Sequence, residues 1–266
     1  MSILTRDQAN AGALMPSTSI KTTGTMEAVG VWHSLLYAAG GAGAAPAPGI
    51  NGAALTSYGG QLPFANAPNG LETKLLKLQS IAGQDGTLIL ADRLWHNSGI
   101  AITTTGGQSI TFPTLPARDR GGSINGEDVF VALEASAATG NGSAVTNTTM
   151  SYTSSADNAG STGSIPSFPA TAAAGTFVPF NLAAGHLGVK SVQSLSLGTS
   201  YVSGTVHLVA YRILGMLGLR ANIRDALEWA RGDVIKAYDN TVPFLLWAPT
   251  ATATTNISTV IQWTQG

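Results

Sequence analysis

Apolar and polar residues alternate over most of the chain, and this period of two predicts a protein built mainly of β-strands. Short apolar runs between glycine, proline and asparagine recur about every 8 to 14 residues, which is typical of sandwiches and jelly rolls. The predicted strands are Thr87–Trp95, Ile100–Thr105, Gln108–Phe112, Asp128–Ser136, Ala144–Thr153, Gly160–Ile165, Thr176–Asn181, Val189–Leu197, Gly204–Leu214, Val242–Trp247 and Ile257–Trp263. We therefore expect a β-sandwich or a jelly-roll-like domain.

Three segments show the spacing of an amphipathic helix instead. They are residues 26–39, about 70–82 and Asn222–Arg231. The apolar stripes consist of Val29, Trp32, His33, Leu36 and Tyr37 in the first, Leu71, Leu75, Leu78 and Ile81 or Ala82 in the second, and Ile223, Ala226, Leu227 and Ala230 in the third. Short helices are therefore predicted near the start of the chain and one near its end.

The first quarter of the chain lacks the alternating pattern of the rest. Residues 1–25 are polar and predict an extended arm, and residues 40–54, GGAGAAPAPGINGAA, predict a flexible loop of low complexity. These features divide the chain into an N-terminal arm with a short helix over residues 1–69 and a β-rich core domain over residues 70–266.

Charge is scarce in this sequence of 266 residues. Acidic and basic residues make up 10% of it, with a net charge of −1, whereas about a quarter is usual. Glycine occurs 32 times, threonine 30 times and serine 23 times. The balanced charge excludes a general nucleic-acid binder, and the paucity of charge excludes a coiled coil. A neutral surface of small residues favours a subunit that packs against other proteins.

No segment predicts a signal peptide or a membrane span. The first ten residues, MSILTRDQAN, lack an apolar core of the signal type. The longest apolar stretch, Gly204–Leu219, is short for a bilayer and contains His207 and Arg212, so we expect a buried strand. The chain has no cysteine, which excludes disulfides and thiolate chemistry.

The densest cluster of polar and aromatic residues is Ala91–Gly99, which contains Asp92, Arg93, Trp95, His96 and Ser98. In a regular strand Asp92 and His96 share a face but lie roughly 13 Å apart. A catalytic set would need direct contact, so the spacing favours an ion pair and a tryptophan anchor. We accordingly expect that His96→Ala changes stability or assembly and no enzymatic activity.

Arg118, Asp119 and Arg120 form a second charged cluster, between Pro116 and two glycines. Arginines in such a loop can clamp a phosphate or carboxylate. No Gly-Lys-Ser/Thr element accompanies them, so an ion pair in a loop or at a subunit contact is favoured. The candidate interface residues are Trp32, Asp92, Arg93, Trp95, Arg118, Asp119 and Arg120.

Residues for metal or cofactor chemistry are not grouped in the sequence. The four histidines lack metal spacing, and Glu127, Asp128 and Glu134 lack the pattern of a calcium loop. The GxSxG and GxGxxG motifs do not occur. We therefore expect no cofactor and no enzymatic activity, with a hydrolase as the least favoured function.

Three segments carry a resemblance to a known group of proteins: GTLILADRLWHNSGI at 86–100, PARDRGGSINGEDVFVALEAS at 116–136, and residues 147–212. They resemble proteins encoded in the structural gene clusters of tailed bacteriophages, from about residue 30 to 215. The resemblance implies a virion component such as a capsid cement or decoration protein that stabilises the shell of the major capsid protein. It implies no catalytic residues.

A structural virion protein, located in the virion and assembled as a homo-oligomer, is the leading hypothesis. Cement proteins often lie on capsid three-fold axes, so the resemblance favours a trimer. The alternative is a receptor- or glycan-binding β-sandwich of a phage tail or fibre, which exposed tryptophan and tyrosine beside carboxamides would favour. Neither hypothesis calls for a specific nucleic acid or a membrane as partner.

Overall fold

The computed structural model describes residues 3, 5–24, 28–41, 46–47, 52–228 and 235–266. The mainly β prediction is confirmed. The strands are β1 Ser17–Thr22, β2 Trp32–Ser34, β3 Ala39–Gly40, β4 Ala53–Ala54, β5 Thr73–Ala82, β6 Gly86–Asn97, β7 Gly106–Ser109, β8 Val129–Ala137, β9 Thr148–Ser154, β10 Ser161–Ser164, β11 Thr176–Pro179, β12 Val189–Leu197, β13 Thr205–Leu219, β14 Asp225–Glu228, β15 Lys236–Ala237, β16 Pro243–Pro249 and β17 Asn256–Gln265. One helix, α1 Arg6–Ala11, lies in the described part of the chain.

The centre of the molecule is a sheet that closes on itself. The strands pair in the order β13, β8, β11, β2, β16 and β6, and β6 pairs with β13 to complete the ring. All of these pairs are antiparallel, and β4 is added on β6. The ring encloses an interior whose apolar part consists of Leu36, Ile89, Ala91, Ala132, Phe177, Val209, Tyr211, Phe244 and Leu246.

Two further sheets pack on different parts of the outer surface of this ring. The order β10, β9, β12, β7 forms one, and β14, β5, β17, β1, β3 forms the other, with β15 also on β5. Val131 of β8 and Leu195 of β12 belong to the core under the first sheet. Leu90 of β6 and Ile261 of β17 belong to the core under the second. Each outer sheet therefore packs face to face on the ring, as the two sheets of a sandwich do. The closure of the central sheet into a ring was not predicted.

The hydrophobic pattern follows from this arrangement. The long strands of the ring are buried on both faces, so β6 and β13 read as nearly continuous apolar runs. The outer strands β9, β12 and β17 alternate because one face meets solvent.

The three predicted helices are wrong within the described residues. The segment 26–39 contains β2, a turn and β3; residues 25–27 lie outside the described part. Residues 73–82 form β5, and Asp225–Glu228 forms β14 at an edge of the same sheet. Residues 229–234 are outside the described part.

A β-bulge explains the false helical period in β5. Lys77 pairs with Gln262 and Leu75 pairs with Trp263, so Leu76 has no partner position on β17. The extra residue brings Leu75 and Leu78, three apart, to the same buried face. A spacing of three in sequence is then compatible with a strand.

The first 69 residues contribute to the same sheets as the rest of the chain. β1 pairs with β17 over six positions, and β2 completes the ring between β11 and β16. The predicted arm over 1–25 contains α1, which Thr5 caps through a reciprocal bond with Gln8, and β1. The described residues include no helix long and apolar enough to cross a membrane.

Candidate functional site

The charged residues of the Ala91–Gly99 cluster lie on two sides of one strand. Asp92 and Arg93 are neighbours on β6, so their side chains point to opposite faces of the ring. Asp92 faces outward and Arg93 faces into the interior, and both are fully buried. Each therefore pairs with a different partner.

Inside the ring, Arg93 forms a bidentate ion pair with Glu134 of β8. The two Arg93 terminal nitrogens lie 2.9 and 2.6 Å from the Glu134 carboxylate oxygens, and neither side chain is exposed. Arg93 Nε donates to His96 Nδ1 at 2.9 Å. On the other side, Tyr37 Oη and His207 Nδ1 each lie 3.4 Å from Glu134 Oε2. We call these five residues the inner cluster.

A bulge in β6 builds the inner cluster. Arg93 pairs with Tyr211 and Trp95 pairs with Ala210, so Leu94 is an extra residue in the strand. The bulge moves His96 to the face of Arg93. The expectation that Asp92 and His96 share a face is therefore wrong, although the expected ion pairs are present.

The inner cluster holds Glu134 charged and His96 neutral. Burial opposes ionisation of Glu134, but the Arg93 charge and the bonds from His207 and Arg93 outweigh it and lower its pKa to about 2. Burial and the Arg93 charge lower the pKa of His96 to about 3. Burial and the Glu134 charge raise the pKa of Tyr37 far above its usual value. These groups are fixed in one protonation state around neutral pH.

On the outer side of β6, Arg118 pairs with Asp92. Arg118 Nε and one terminal nitrogen lie 2.9 and 3.2 Å from the Asp92 carboxylate oxygens. Arg118 also donates to the carbonyls of Leu55 and Arg93, and Asp92 accepts from the backbone N–H of Val242. The pair therefore joins the loop after Pro116 to the wall of the ring.

Asp119 and Arg120 have separate roles in this loop. The Asp119 carboxylate accepts from the backbone N–H groups of Ser123, Gly126 and Glu127 and from the Ser123 hydroxyl. Burial opposes ionisation of Asp119, but these bonds dominate and lower its pKa. Arg120 is exposed and lies 3.3 Å from Glu127 and 3.7 Å from Asp128.

The seven candidate interface residues thus have different environments. Asp92, Arg93, Trp95, Arg118 and Asp119 are buried and form contacts within the chain. Trp32 is half-buried and Arg120 is exposed, so these two reach the surface. An interface role stays a prediction for them.

Burial of charged side chains leaves a surface that is poor in charge. The sequence has 13 basic and 14 acidic side chains, and seven of those in the described residues are buried, so at most 20 are left for a surface of 11043 Å². The buried ones are Lys21, Asp92, Arg93, Arg118, Asp119, Glu134 and Arg212. Within the described ranges, no three histidine or acidic side chains are grouped as metal ligands.

The outer face of the β10–β9–β12–β7 sheet is a grid of hydroxyl groups, which we call the hydroxyl face. Its rows are Ser164–Thr149–Ser196, Thr162–Ser151–Ser194–Ser109 and Thr153–Ser191. Rows repeat about every 6.6 Å along a strand, and strands lie about 4.8 Å apart. The alternate residues, such as Met150 and Tyr152, are buried in the core.

A groove of about 390 Å³ opens where β2 meets β11. Trp32, Phe177, Val178 and Pro179 line it from the ring; the other lining residues are Gly30, Val31, Pro166, Ser167 and Asn181. None of these residues is charged. We call it the Trp32 groove.

Sequence reasoning missed three members of the inner cluster as a set: Tyr37, Glu134 and His207. The available signal was a lone acidic residue within the apolar run VFVALEASA. A strand that is apolar on both faces is buried, so a carboxylate within it needs a buried partner of opposite charge. The identity of that partner depends on the pairing of β8, β13 and β6, which no local pattern contains.

No protein-family model matches the chain, and no curated protein is similar to it in sequence. Weak structural similarity exists to viral capsid particles. The VP2 subviral particle of infectious bursal disease virus is 9% identical, with a TM-score of 0.20, over 95% of this chain and 80% of that chain. The T13 particle of the same virus is 10% identical, with a TM-score of 0.20, over 94% and 77%. Backbones with such TM-scores differ too much for the likeness to support a fold or a function.

Proposed function

We propose that the protein is a structural component of a virus particle, a capsid cement or decoration protein that binds the shell of the major capsid protein. The observation that carries the proposal is the surface. At most 20 charged side chains are left for a surface of 11043 Å², because seven charged side chains of the described residues are buried. An isolated soluble domain usually keeps about a quarter to a third of its surface residues charged. The resemblance to phage structural proteins supports the same assignment.

The hydroxyl face is the surface that we assign to the shell. Ser151 and Ser194 lie opposite each other at its centre and are half-exposed. Burying neutral hydroxyls that can pair across an interface costs far less desolvation than burying ions. The small side chains of this face also permit close approach of a second protein surface.

The same distribution of charge supports a protein without enzymatic activity or cofactor. The acidic, basic and histidine side chains of the inner cluster bond to one another. Arg118 and Asp119 bond to the chain around them. We further propose a homo-oligomer, in the form of a trimer, as the unit that binds the shell.

Sedimentation with capsid shells tests the proposal. Shells assembled from the major capsid protein alone are mixed with the purified protein, and the bound fraction is measured after pelleting. We expect saturable binding with hundreds of copies per shell. Ser151→Glu places a charge at the centre of the hydroxyl face and should weaken binding at least about tenfold, or ~1.4 kcal/mol.

Thr18→Glu is the matched control, because Thr18 is an exposed strand residue on the other outer sheet. It should bind shells like the unmodified protein. Absence of binding to shells contradicts the cement function. Equal binding by Ser151→Glu, with an unchanged melting temperature, contradicts the assignment of the hydroxyl face.

The alternative function is a glycan-binding protein of a tail or fibre. The Trp32 groove favours it, because a half-buried tryptophan there lies in the same groove as the carboxamide of Asn181. Copy number in purified virions separates the two locations. Hundreds of copies support the capsid, whereas a few tens or fewer support a fibre.

A further inference from the structure

We infer that the Trp32 groove is a binding site for a neutral carbohydrate. This site adjoins the edge of the hydroxyl face, where Asn181 lies opposite Ser164, and carbohydrate binding there does not require binding to a shell.

The groove lies beside β2, which is the shortest strand of the ring. This strand has three residues and pairs with β11 at only two positions, Trp32 with Phe177 and His33 with Thr176. Before Trp32 the chain turns at Gly30, which has a φ of 71° and donates its N–H to the Pro249 carbonyl at the end of β16. β11 continues past this point to Pro179, so its end and the turn at Gly30 form two sides of an open groove.

Three residues of the lining carry polar side chains that are at least partly accessible. They are Trp32, which is half-buried, and Asn181 and Ser167, which are exposed. The backbone of Asn181 is held by reciprocal bonds of 2.8 and 3.1 Å with Ser164. The main chain of Asn181 is therefore fixed, and its exposed side chain carries one hydrogen-bond acceptor and one donor group.

The remaining walls are apolar and stiff. Pro166 and Pro179 have fixed φ angles, and Val178 is buried in the core below. A site built from such residues loses little conformational freedom on binding. Its volume of about 390 Å³ is in the usual range for small-molecule clefts.

The lining selects the chemical class of the ligand. No charged residue lines the groove, so an ionic ligand would find no opposite charge to pair with there. A sugar ring has an apolar face of C–H groups that can lie on an indole, and hydroxyls that pair with an amide and a serine. Recognition of a proline-rich peptide would need several exposed aromatic rings. Here Phe177 is fully buried, and Trp32 is the accessible ring.

Fluorescence titration with short neutral oligosaccharides tests the inference. The probes are oligomers of glucose with α-1,4 or β-1,4 links, oligomers of N-acetylglucosamine, and oligomers of mannose. We expect at least one series to bind saturably with a Kd of about 1 mM or tighter. Asn181→Ala should weaken that binding about tenfold, with the melting temperature unchanged. Trp32→Phe keeps a ring but loses the N–H, so it should weaken binding less than Trp32→Ala.

Gln193→Ala is the matched control, because Gln193 is an exposed amide on the hydroxyl face. It should bind like the unmodified protein. The inference is overturned if none of the four series binds, or if binding survives Asn181→Ala and Trp32→Ala unchanged. Binding of an alanine-proline peptide in place of every oligosaccharide would overturn the ligand class.

The test of carbohydrate binding and the test of shell binding can fail independently of each other. Asn181 lies opposite Ser164 at the edge of the hydroxyl face. Asn181→Ala introduces no charge and leaves the centre of the face at Ser151 unchanged, so this variant should bind capsid shells normally. Ser151→Glu should bind the oligosaccharide normally. Failure of one binding activity therefore leaves the other measurable on the same protein.

Discussion

The carboxylate of Glu134 is the single group whose loss should destabilise the fold most. Glu134→Gln leaves the Arg93 guanidinium buried without a counter-charge, because both side chains are inaccessible to solvent. Removing one partner of a buried pair typically costs about 3 to 5 kcal/mol. We expect a loss of this size in the free energy of unfolding, measured by urea denaturation.

An exposed pair and a double replacement control this prediction. Glu127→Gln breaks the pair with Arg120, whose side chain is 64% exposed, and should change stability by less than about 1 kcal/mol. Replacing both Arg93 by Met and Glu134 by Leu removes the unpaired charge and should recover much of the lost stability. A Glu134→Gln variant as stable as the unmodified protein would contradict the bidentate geometry.

Two buried histidines should make the protein less stable in mild acid. Burial lowers the pKa of His33 to about 4, and burial with the Arg93 charge lowers that of His96 to about 3, both from 6.5. As pH falls from 6.5, the unfolded chain takes up protons at these positions and the folded protein does not. Stability is therefore lost with decreasing pH, on the order of 2 kcal/mol per histidine by pH 4.5.

The window from pH 6.5 to 4.5 covers the titration of the histidines in the unfolded chain. His96 faces Arg93, Glu134, His207 and Tyr58 in the ring. The ordinary pKa of a glutamate is 4.5, so glutamates of the unfolded chain are half protonated at pH 4.5 and add a smaller loss of stability at the lower end of the window. Urea denaturation at both ends should show the loss, and His96→Gln should reduce its size. A stability that is flat over this window would contradict burial of neutral imidazoles.

The loop between β7 and β8 depends on one glycine. Gly126 has a φ of 83°, donates to Asp119, and lies so close to the Val189 carbonyl that a Cβ atom would overlap it. Gly126→Ala should therefore cost about 1 to 3 kcal/mol. Gly142→Ala is the control, since no atom lies within 4 Å of its added Cβ. Thermal melting of both variants provides the comparison.

Strands were predictable where one face meets solvent, because alternation then marks the buried side. β9, β12 and β17 follow that rule, and the prediction of each overlaps the observed strand. β5 was mistaken for a helix because its bulge at Leu76 brings Leu75 and Leu78 to one face. A bulge is set by pairing with a distant strand, so its position is not readable from the local pattern.

The closed ring and its inner cluster were not predictable for the same reason. Closure depends on β2, which pairs with β11 more than 140 residues later at two positions. Nothing local distinguishes such a short strand from a loop. The local sequence predicted an ion pair at Asp92 and another at Arg118. That these two residues pair with each other depends on the loop after Pro116 lying against the outer side of β6, which no local pattern contains.

Low surface charge predicts an assembly that resists salt. We expect a trimer of the 27.1 kDa chain in sedimentation and light scattering at neutral pH. Attraction between exposed charges is screened within about 3 Å at 1 M salt and about 10 Å at 0.1 M. A contact made by hydroxyl and apolar groups is not weakened in this way, so the trimer should persist at about 1 M sodium chloride. A stable monomer at micromolar concentration contradicts association, a dimer contradicts the stoichiometry, and dissociation by salt alone would show that the remaining charges hold the subunits together.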